Sequence, residues 1–205
     1  MPPKIDQSER RREVTEAAIR ILCKAGPRGL TLRALAEELG GSVRLVTHFF
    51  PNRHALLDAI TRQMIEDQTA EVAAMDATPG LTDLERLRRF MLWLLPTSAL
   101  EMMLERSRVM MSAETEAHFD VHKLFDAWEA SMRALIEEHV APLVPKPQLP
   151  VYVDLMRVLQ NGVVLSSVEH PNDWPPKRQA ALLDLVLTNL SRAVSHSDTR
   201  ARKRH

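Results

Sequence analysis

Cysteine is almost absent from this chain of 205 residues. The single Cys23 excludes an internal disulfide and fits a reducing compartment, and we expect it to be a packing residue of the first helix. Long apolar runs are also missing, since none reaches the roughly 18 residues that a membrane-spanning helix needs. The first residues lack the basic, apolar and small-residue order of a signal peptide. We therefore expect a cytoplasmic protein with no membrane partner.

Neither sign of charge is in excess, because 27 basic residues balance 27 acidic ones. The charge is unevenly distributed, however, since residues 1–57 hold ten Lys and Arg against six Asp and Glu, which leaves +4 there and −4 in the remainder. A basic N-terminal quarter is well placed to meet phosphates. The cluster of Lys4, Arg10, Arg11 and Arg12 predicts a mobile phosphate-binding arm, with a solvated helix start as the alternative.

Two short helices are predicted on either side of the glycine pair at residues 40–41. Thr31 suits the N-cap of the first helix because its side-chain oxygen can accept a hydrogen bond from a first-turn N–H, and Ser42 suits the second. The first helix has apolar residues at helical spacing: Leu32, Leu35, Ala36 and Leu39. Glycine permits the positive φ that a tight turn between helices often needs. This pattern is typical of a helix-turn-helix.

The second of these helices keeps polar side chains on its outer face. Its apolar anchors fall at i, i+3 and i+4: Val46, Phe49 and Phe50. The residues left facing outward are Val43, Arg44, Thr47 and His48. A short helix with a free outer face is what reading a DNA groove requires. An ordinary helical hairpin with a polar outer face is the alternative, because helix-turn-helix geometry is not unique to DNA-binding proteins.

The register of these residues resembles the N-terminal domain of TetR-family transcriptional regulators. The resemblance covers about the first third of the chain: Val14, Ala17-Ala18, Ile21-Leu22, Gly26, Thr31, Ala36, Leu39-Gly40, Ser42, Val46, Phe49-Phe50-Pro51-Asn52-Arg53 and Leu56-Leu57. It implies contacts with DNA bases or backbone from Ser42, Val43, Arg44, Thr47 and His48. It also implies backbone contacts from Thr31, Arg33 and Arg53.

Three positions depart from the family's pattern. Glycine is usual at the position of Arg44, a small hydroxyl residue at that of Leu45, and tyrosine at that of Thr47. The missing tyrosine removes one phosphate contact, whereas Arg44 can bridge O6 and N7 of a guanine, which is worth about 1 to 3 kcal/mol of base discrimination. The operator sequence therefore cannot be transferred from relatives.

Helical patterns continue through the rest of the chain, and strand patterns are close to absent. A helix follows from Asn52 to about Met75, and Thr82 with Glu85 forms a capping box that begins the next helix. We predict an all-α fold with a three-helix helix-turn-helix domain, then a larger helical ligand-binding and dimerisation domain, then a disordered basic tail: residues 1–57, 58–196 and 197–205. Further helices are expected over about 98–113 and 116–144, with Pro142, Pro145, Pro147 and Pro150 in a linker.

The second domain carries a more diffuse resemblance, and its methionines suggest a pocket. The segments LERLRRF, Leu95-Pro96, ERSR and Asn161-Gly162 resemble the regulatory domain of the BetI-type branch of TetR regulators. Flexible, polarizable methionines can adapt to varied apolar ligands. The candidate pocket residues are Met91, Trp93, Met102, Met103, Met110, Met111, Phe119, Phe125 and Trp128. The alternative is that they fill the core of a helical bundle.

Three residues between positions 114 and 122 have a spacing that metal sites use. Glu114, His118 and His122 lie at i, i+4 and i+8, a spacing that could place a carboxylate and two imidazoles on one helix face for Zn²⁺ or Ni²⁺. Histidines at i and i+4 on a charged helix are more often solvated. We therefore predict neither a bound metal nor another cofactor.

The last two helices are apolar over more than one face, which predicts a homodimer joined by a four-helix bundle. The candidate interface residues are Leu155, Leu159, Gly162, Val163, Leu183, Leu187 and Leu190. Two-fold symmetry would place two reading helices in successive major grooves of a palindromic operator, about 34 to 36 Å apart.

The function expected from these features is a dimeric repressor released from DNA by a small, largely apolar effector. The alternative is a DNA-binding regulator without a small effector, controlled by its abundance or by a protein partner. An enzyme is the weakest hypothesis, because no nucleophile motif, phosphate loop or pair of catalytic acids stands out.

Overall fold

A computed structural model describes residues 7–113 and 119–202 of the chain. Within these ranges the chain forms nine α-helices and no strand, which confirms the predicted all-α fold. The helices are α1 Gln7–Gly29, α2 Leu32–Glu38, α3 Val43–Phe49, α4 Arg53–Asp76, α5 Asp83–Trp93, α6 Ala99–Ala113, α7 Phe119–Val140, α8 Leu149–Glu169 and α9 Pro176–Arg202. None of the described helices is both long enough and apolar enough to cross a membrane.

The chain divides into two compact units. The first unit consists of Met1–Ala70 and Arg106–Glu129, and the second consists of Glu71–Glu105 and Ala130–His205. The boundaries between the two units fall inside three helices, α4, α6 and α7. Each of these helices therefore contributes residues to both units. The first unit thus takes in residues well beyond the domain predicted at 1–57.

A small apolar core holds the first unit together. Its fully buried members come from α1, α2, α3 and α4: Val14, Ala17, Ala18, Leu35, Val46, Leu56 and Ile60. Phe50, directly after α3, is 1% exposed and closes this core. Each large apolar side chain contributes about 1.5 to 3 kcal/mol when it leaves water. The short helices α2 and α3 therefore owe their position to α1 and α4.

Helix ends in the first unit are fixed by local caps. The Thr31 side chain accepts from the Ala34 N–H at 3.0 Å, and the Ser42 side chain accepts from the Leu45 N–H at 3.3 Å. Gly40 has a φ of +59°, which an L side chain rarely adopts, so the α2–α3 turn needs glycine there. Both predicted N-caps are confirmed.

In the second unit, Thr82 and Glu85 form the predicted capping box at the start of α5. The Thr82 hydroxyl accepts from the Glu85 N–H, and the Glu85 carboxylate accepts from the Thr82 N–H at 2.8 Å. Hydrogen bonds from Thr82 lower the pKa of Glu85. The cap thus fixes where α5 begins.

Two predicted boundaries in the second unit need correction. Pro150 lies in the first turn of α8 rather than in a linker, because a proline there gives up an N–H that no helical bond needs. The helix α9 continues to Arg202, beyond the point at which a disordered tail was expected from residue 197. No proline or glycine interrupts the chain from residue 177 to 202, so nothing local ends the helix earlier.

A buried histidine joins three helices of the second unit. His139 of α7 is 5% exposed, and its Nδ1 lies 2.7 Å from the Leu135 carbonyl oxygen. Its Nε2 lies 3.1 Å from Oδ2 of Asp76 at the end of α4. The ring stacks on Phe90 of α5 with centroids 4.1 Å apart. Both polar ring atoms therefore have partners, as a buried polar group requires.

Candidate nucleic-acid interface

The helix α3 is anchored on one side and open on the other. Val46 is 0% exposed and holds the helix against the core, while Ser42 caps its first turn. On the opposite side Val43 is 43% exposed, and Arg44 and His48 are also exposed. This arrangement agrees with the pattern of apolar anchors and outward residues that the sequence predicts.

Side-chain contacts decide which groups on α3 are available to a partner. The Thr47 hydroxyl donates to the Arg44 carbonyl oxygen at 3.2 Å, so its oxygen remains available only as an acceptor. The His48 ring meets the edge of Phe49 at 5.1 Å between centroids. Arg44 has no hydrogen-bond or ion-pair partner within the described ranges. Its guanidinium therefore need not give up a described contact to bind a partner.

Other arginines near α3 already have partners. Arg33 bonds Glu37 at 3.1 Å, Arg20 bonds Glu38 at 3.1 Å, and both pairs are exposed. Exposed pairs of this kind contribute only about 0 to 1 kcal/mol, so a phosphate could displace the carboxylate at small cost. These arginines can contact DNA after losing an ion pair, whereas Arg44 forms no ion pair with a described residue.

The predicted N-terminal arm is largely helical. Arg10, Arg11 and Arg12 lie on α1, where Arg10 pairs with Glu13 and Arg12 with Glu16. The Arg11 guanidinium lies 5.4 Å from the centre of the Phe50 ring. The alternative of a solvated helix start therefore describes these three residues. Lys4 lies outside the described residues.

The remaining predicted DNA contacts lie at the starts of α2 and α4. Thr31 is exposed and caps α2, and Arg53 is half-buried as the first residue of α4. Asn52 caps α4, since its Oδ1 accepts from the Ala55 N–H at 2.9 Å. The structure thus brings the predicted residues of α2, α3 and α4 to the surface of one unit.

The predicted pocket residues have different surroundings in the two units. In the second unit, Met91 is 1% exposed, Met102 is half-buried, Met103 is 47% exposed, and Trp93 donates from Nε1 to Glu71 at 2.9 Å. Met91 is therefore a core residue, whereas Met103 is too exposed to be one.

In the first unit, Met110 is 60% exposed, Phe125 packs against the core, and Arg108 lies 5.5 Å from the Trp128 ring centre. The side chains of Met111 and Phe119 lie outside the described set. Met110, like Met103, is too exposed to be a core residue.

The predicted metal-binding set falls mostly outside the described part of the chain. Glu114 and His118 are not among the described residues. Only the backbone of His122, in α7, is described. Among the residues that the structure does describe, no group of three metal-binding side chains is present.

The predicted interface residues separate into buried and exposed groups. Four of them already pack within their own chain: Val163, Leu183, Leu187 and Leu190 are 1–4% exposed. Leu159 is half-buried, while Leu155 and Gly162 are exposed. Four apolar side chains of α8 face solvent. Val151 and Val158 are each 69% exposed, and Leu155 and Leu165 are each 43% exposed. Together with Gly162 they repeat at intervals of four and three residues, which places them along one helix face.

Known proteins resemble this chain both in sequence and in fold. Residues 14–60 match the family of bacterial regulatory proteins named after tetR. The regulator PksA of Bacillus subtilis (strain 168) is 28% identical over 101 residues, covering 48% of this chain and 47% of PksA. The regulator BetI of Burkholderia thailandensis is 32% identical over 87 residues, covering 42% of this chain and 45% of BetI. The chain thus spans about half the length of these curated relatives, both of which are HTH-type transcriptional regulators.

A solved structure extends the similarity in fold to most of the chain. A transcriptional regulator from Saccharomonospora viridis, in complex with choline, gives a TM-score of 0.69 at 21% identity, covering 87% of this chain and 95% of that one. The family match coincides with α1 to the first turns of α4, the segment whose caps and core position α3. The match in sequence is therefore to the TetR family of bacterial regulatory proteins over residues 14–60, and the similarity over the rest of the chain is one of fold.

Proposed function

We propose that this protein binds double-stranded DNA through α3 and regulates transcription. The observation that carries this proposal is the exposed Arg44, which has no partner among the described residues, on a helix whose opposite side is fixed by the buried Val46. A helix anchored in this way can enter a major groove without loss of core packing. The match of residues 14–60 to the TetR family supports the same function.

The protein acts as a homodimer on a palindromic operator. The apolar face of α8 supports this part of the proposal. It forms a continuous stripe exposed to water that consists of Val151, Leu155, Val158 and Leu165. Gly162 lies on this stripe, and a Cβ there would meet nothing within 4 Å in a single chain. Glycine inside a helix costs about 0.5 to 1 kcal/mol relative to alanine, and close approach of a partner helix offsets that cost.

A small effector releases the protein from its operator, so that it acts as a repressor in the cytoplasm. Support comes from the choline bound by the Saccharomonospora viridis regulator, which has the same fold. An effector can release DNA only if it prefers the arrangement of the protein that binds DNA poorly. The coupling expected between effector and DNA is on the order of 1 to 3 kcal/mol.

Footprinting on the DNA upstream of the protein's own gene tests this function. We expect protection of two half-sites about 10 base pairs apart, one helical turn or a multiple of it, with loss of protection when an effector is added. Binding should be measured at a fixed salt concentration, because phosphate contacts make affinity salt-dependent. Equal affinity for the upstream DNA and for scrambled DNA of the same length would contradict a sequence-specific regulator.

A further inference from the structure

A groove of about 520 Å³ lies on the first unit between α4 and α7. This volume is within the range of about 300 to 1,000 Å³ that small-molecule sites occupy. The α4 wall includes Leu57, Ile65 and three charged residues, and the α7 wall includes Lys123 and Ala127. None of these residues belongs to the methionine-rich set proposed from the sequence.

The groove has an apolar part that can cover the body of a ligand. Leu57 is 2% exposed and Ile65 is half-buried, so they form a fixed apolar surface. Between them, Thr61 donates its hydroxyl to the Leu57 carbonyl oxygen at 2.9 Å. The Thr61 oxygen is thereby left as an acceptor beside this apolar surface.

Charges of alternating sign follow the same wall. Asp58, Arg62 and Glu66 are four residues apart, which places successive charges about 6 Å apart along the helix axis. Arg62 and Glu66 form no ion pair, either with each other or with another described residue, and His54 lies 3.5 Å from Asp58. Lys123 adds a positive charge from α7.

This charge pattern selects the class of ligand. A ligand of a single sign would meet a like charge one helical turn away from its partner. A zwitterion can instead place its carboxylate against Arg62 or Lys123 and its ammonium against Asp58 or Glu66. We propose that the groove binds a small zwitterion with an apolar body, of the chemical class of the aliphatic amino acids.

The position of the groove on α4 links it to the reading helix. Leu57 lines the groove and also belongs to the core that holds Val46 of α3. A ligand against Leu57 and Asp58 therefore restrains the part of α4 that supports α3. The regulatory consequence rests on the proposed DNA-binding function, whereas ligand binding itself does not.

Calorimetry on the full chain tests the ligand class. The probes are L-leucine, leucinamide, which lacks the carboxylate, and N-acetyl-leucine, which lacks the ammonium. We expect L-leucine to bind at least tenfold more tightly than either derivative, and Arg62→Gln and Glu66→Gln each to weaken it at least fivefold. The matched control is Arg106→Gln, an exposed arginine of α6 outside the groove, which should leave binding unchanged.

Several results would overturn the proposal. They are absence of L-leucine binding at millimolar concentration, equal affinity for the three probes, or equal loss in Arg106→Gln and Arg62→Gln. A gel-shift titration without any probe tests DNA binding separately. If the protein binds its operator but no probe binds, the groove proposal fails and the proposed function stands; if L-leucine binds as expected and no operator is bound, the proposed function fails and the ligand site stands.

Discussion

At the scale of single residues, Arg44 is the position on which DNA specificity is expected to depend. It is exposed on the outer side of α3 and has no partner among the described residues, whereas Arg33 already pairs with Glu37. A free guanidinium can form two hydrogen bonds to one guanine, and that geometry distinguishes guanine from the other bases. Arg33, at the start of α2, is better suited to phosphate contact.

Replacing Arg44 with alanine should therefore weaken specific binding more than nonspecific binding. The expected loss on the operator is about 1 to 3 kcal/mol, roughly fivefold to 150-fold, because one bidentate base contact is removed. Gel-shift titrations against the operator and against scrambled DNA measure both affinities. The control, Arg33→Ala, should weaken binding to the two DNAs by the same factor. Equal losses for Arg44→Ala on both DNAs would contradict base readout.

Interactions between residues that are close in sequence can be predicted from the sequence, whereas interactions between distant residues cannot. Thr31, Ser42 and Thr82 are predicted as caps because each bonds an N–H three residues away. The ion pair of Arg12 with Asp67 joins α1 to α4, and no local pattern indicates it. For the same reason the sequence does not indicate that Arg11 lies over Phe50.

At the scale of helices, His139 ties α7 to α4 and α5. Its replacement by alanine removes the contact with Asp76 and the stack on Phe90. We expect a loss of about 2 to 4 kcal/mol, because a buried ring is removed from the core and the partly buried Asp76 carboxylate loses its partner. Urea unfolding measures it, and Glu138→Ala, at an exposed neighbour on α7, is the control. A loss no larger than that of the control would show that His139 is not a structural tie.

A second tie joins α5 to α9 and makes stability depend on pH. Arg88 donates to both carboxylate oxygens of Asp184, at 2.6 and 3.0 Å, and this bonding lowers the pKa of Asp184. A carboxyl whose pKa is lowered by folding stabilises the protein above its unfolded pKa, near 3.9, and loses that effect as the pH falls through the lower folded value. The contribution should be under about 1 kcal/mol because the pair is exposed.

The variant Asp184→Asn should thus be slightly less stable than the natural protein at pH 7 and equally stable in acid. Unfolding in urea at several pH values between 7 and 3 measures the difference, which should shrink below about pH 4. Asp173→Asn, at an exposed position without a side-chain ion pair among the described contacts, should show no such trend. A difference that stays constant down to pH 3 would contradict the role of the Asp184 charge.

Helix existence was easier to predict than the surfaces that helices form together. The capping box at Thr82 and the periodic apolar residues indicate where α5 lies. The groove of the first unit could not be predicted, because Arg62 and Lys123 come from distant parts of the chain and neither helix carries a motif. The sequence alone does not decide the position of Pro150, because proline suits both a linker and the first turn of a helix.

At the scale of the whole molecule, the dimer proposal depends on which apolar residues remain exposed. The sequence indicates that α8 and α9 have an excess of apolar residues, but not which of them pack inside the chain. Leu187, at 3% exposure, is a core residue, so an arginine there would disrupt folding rather than test the interface. Val158, at 69% exposure in the middle of the α8 face, can be replaced without creating a cavity in the monomer.

Val158→Arg should therefore yield folded monomers that fail to bind a palindromic operator. At a two-fold interface through α8, each new guanidinium would lose water and meet its own copy, so the cost falls on association and not on folding. Sedimentation at micromolar concentration measures the assembly, and circular dichroism checks the fold. The control is Met110→Arg, at a side chain of α6 that is 60% exposed, and this variant should leave the dimer intact.

A natural protein that sediments as a monomer, or a Val158→Arg dimer as tight as the control, would remove the basis for an interface on this face. If the monomeric variant instead retains its full operator affinity, the stripe on α8 serves association without serving DNA recognition.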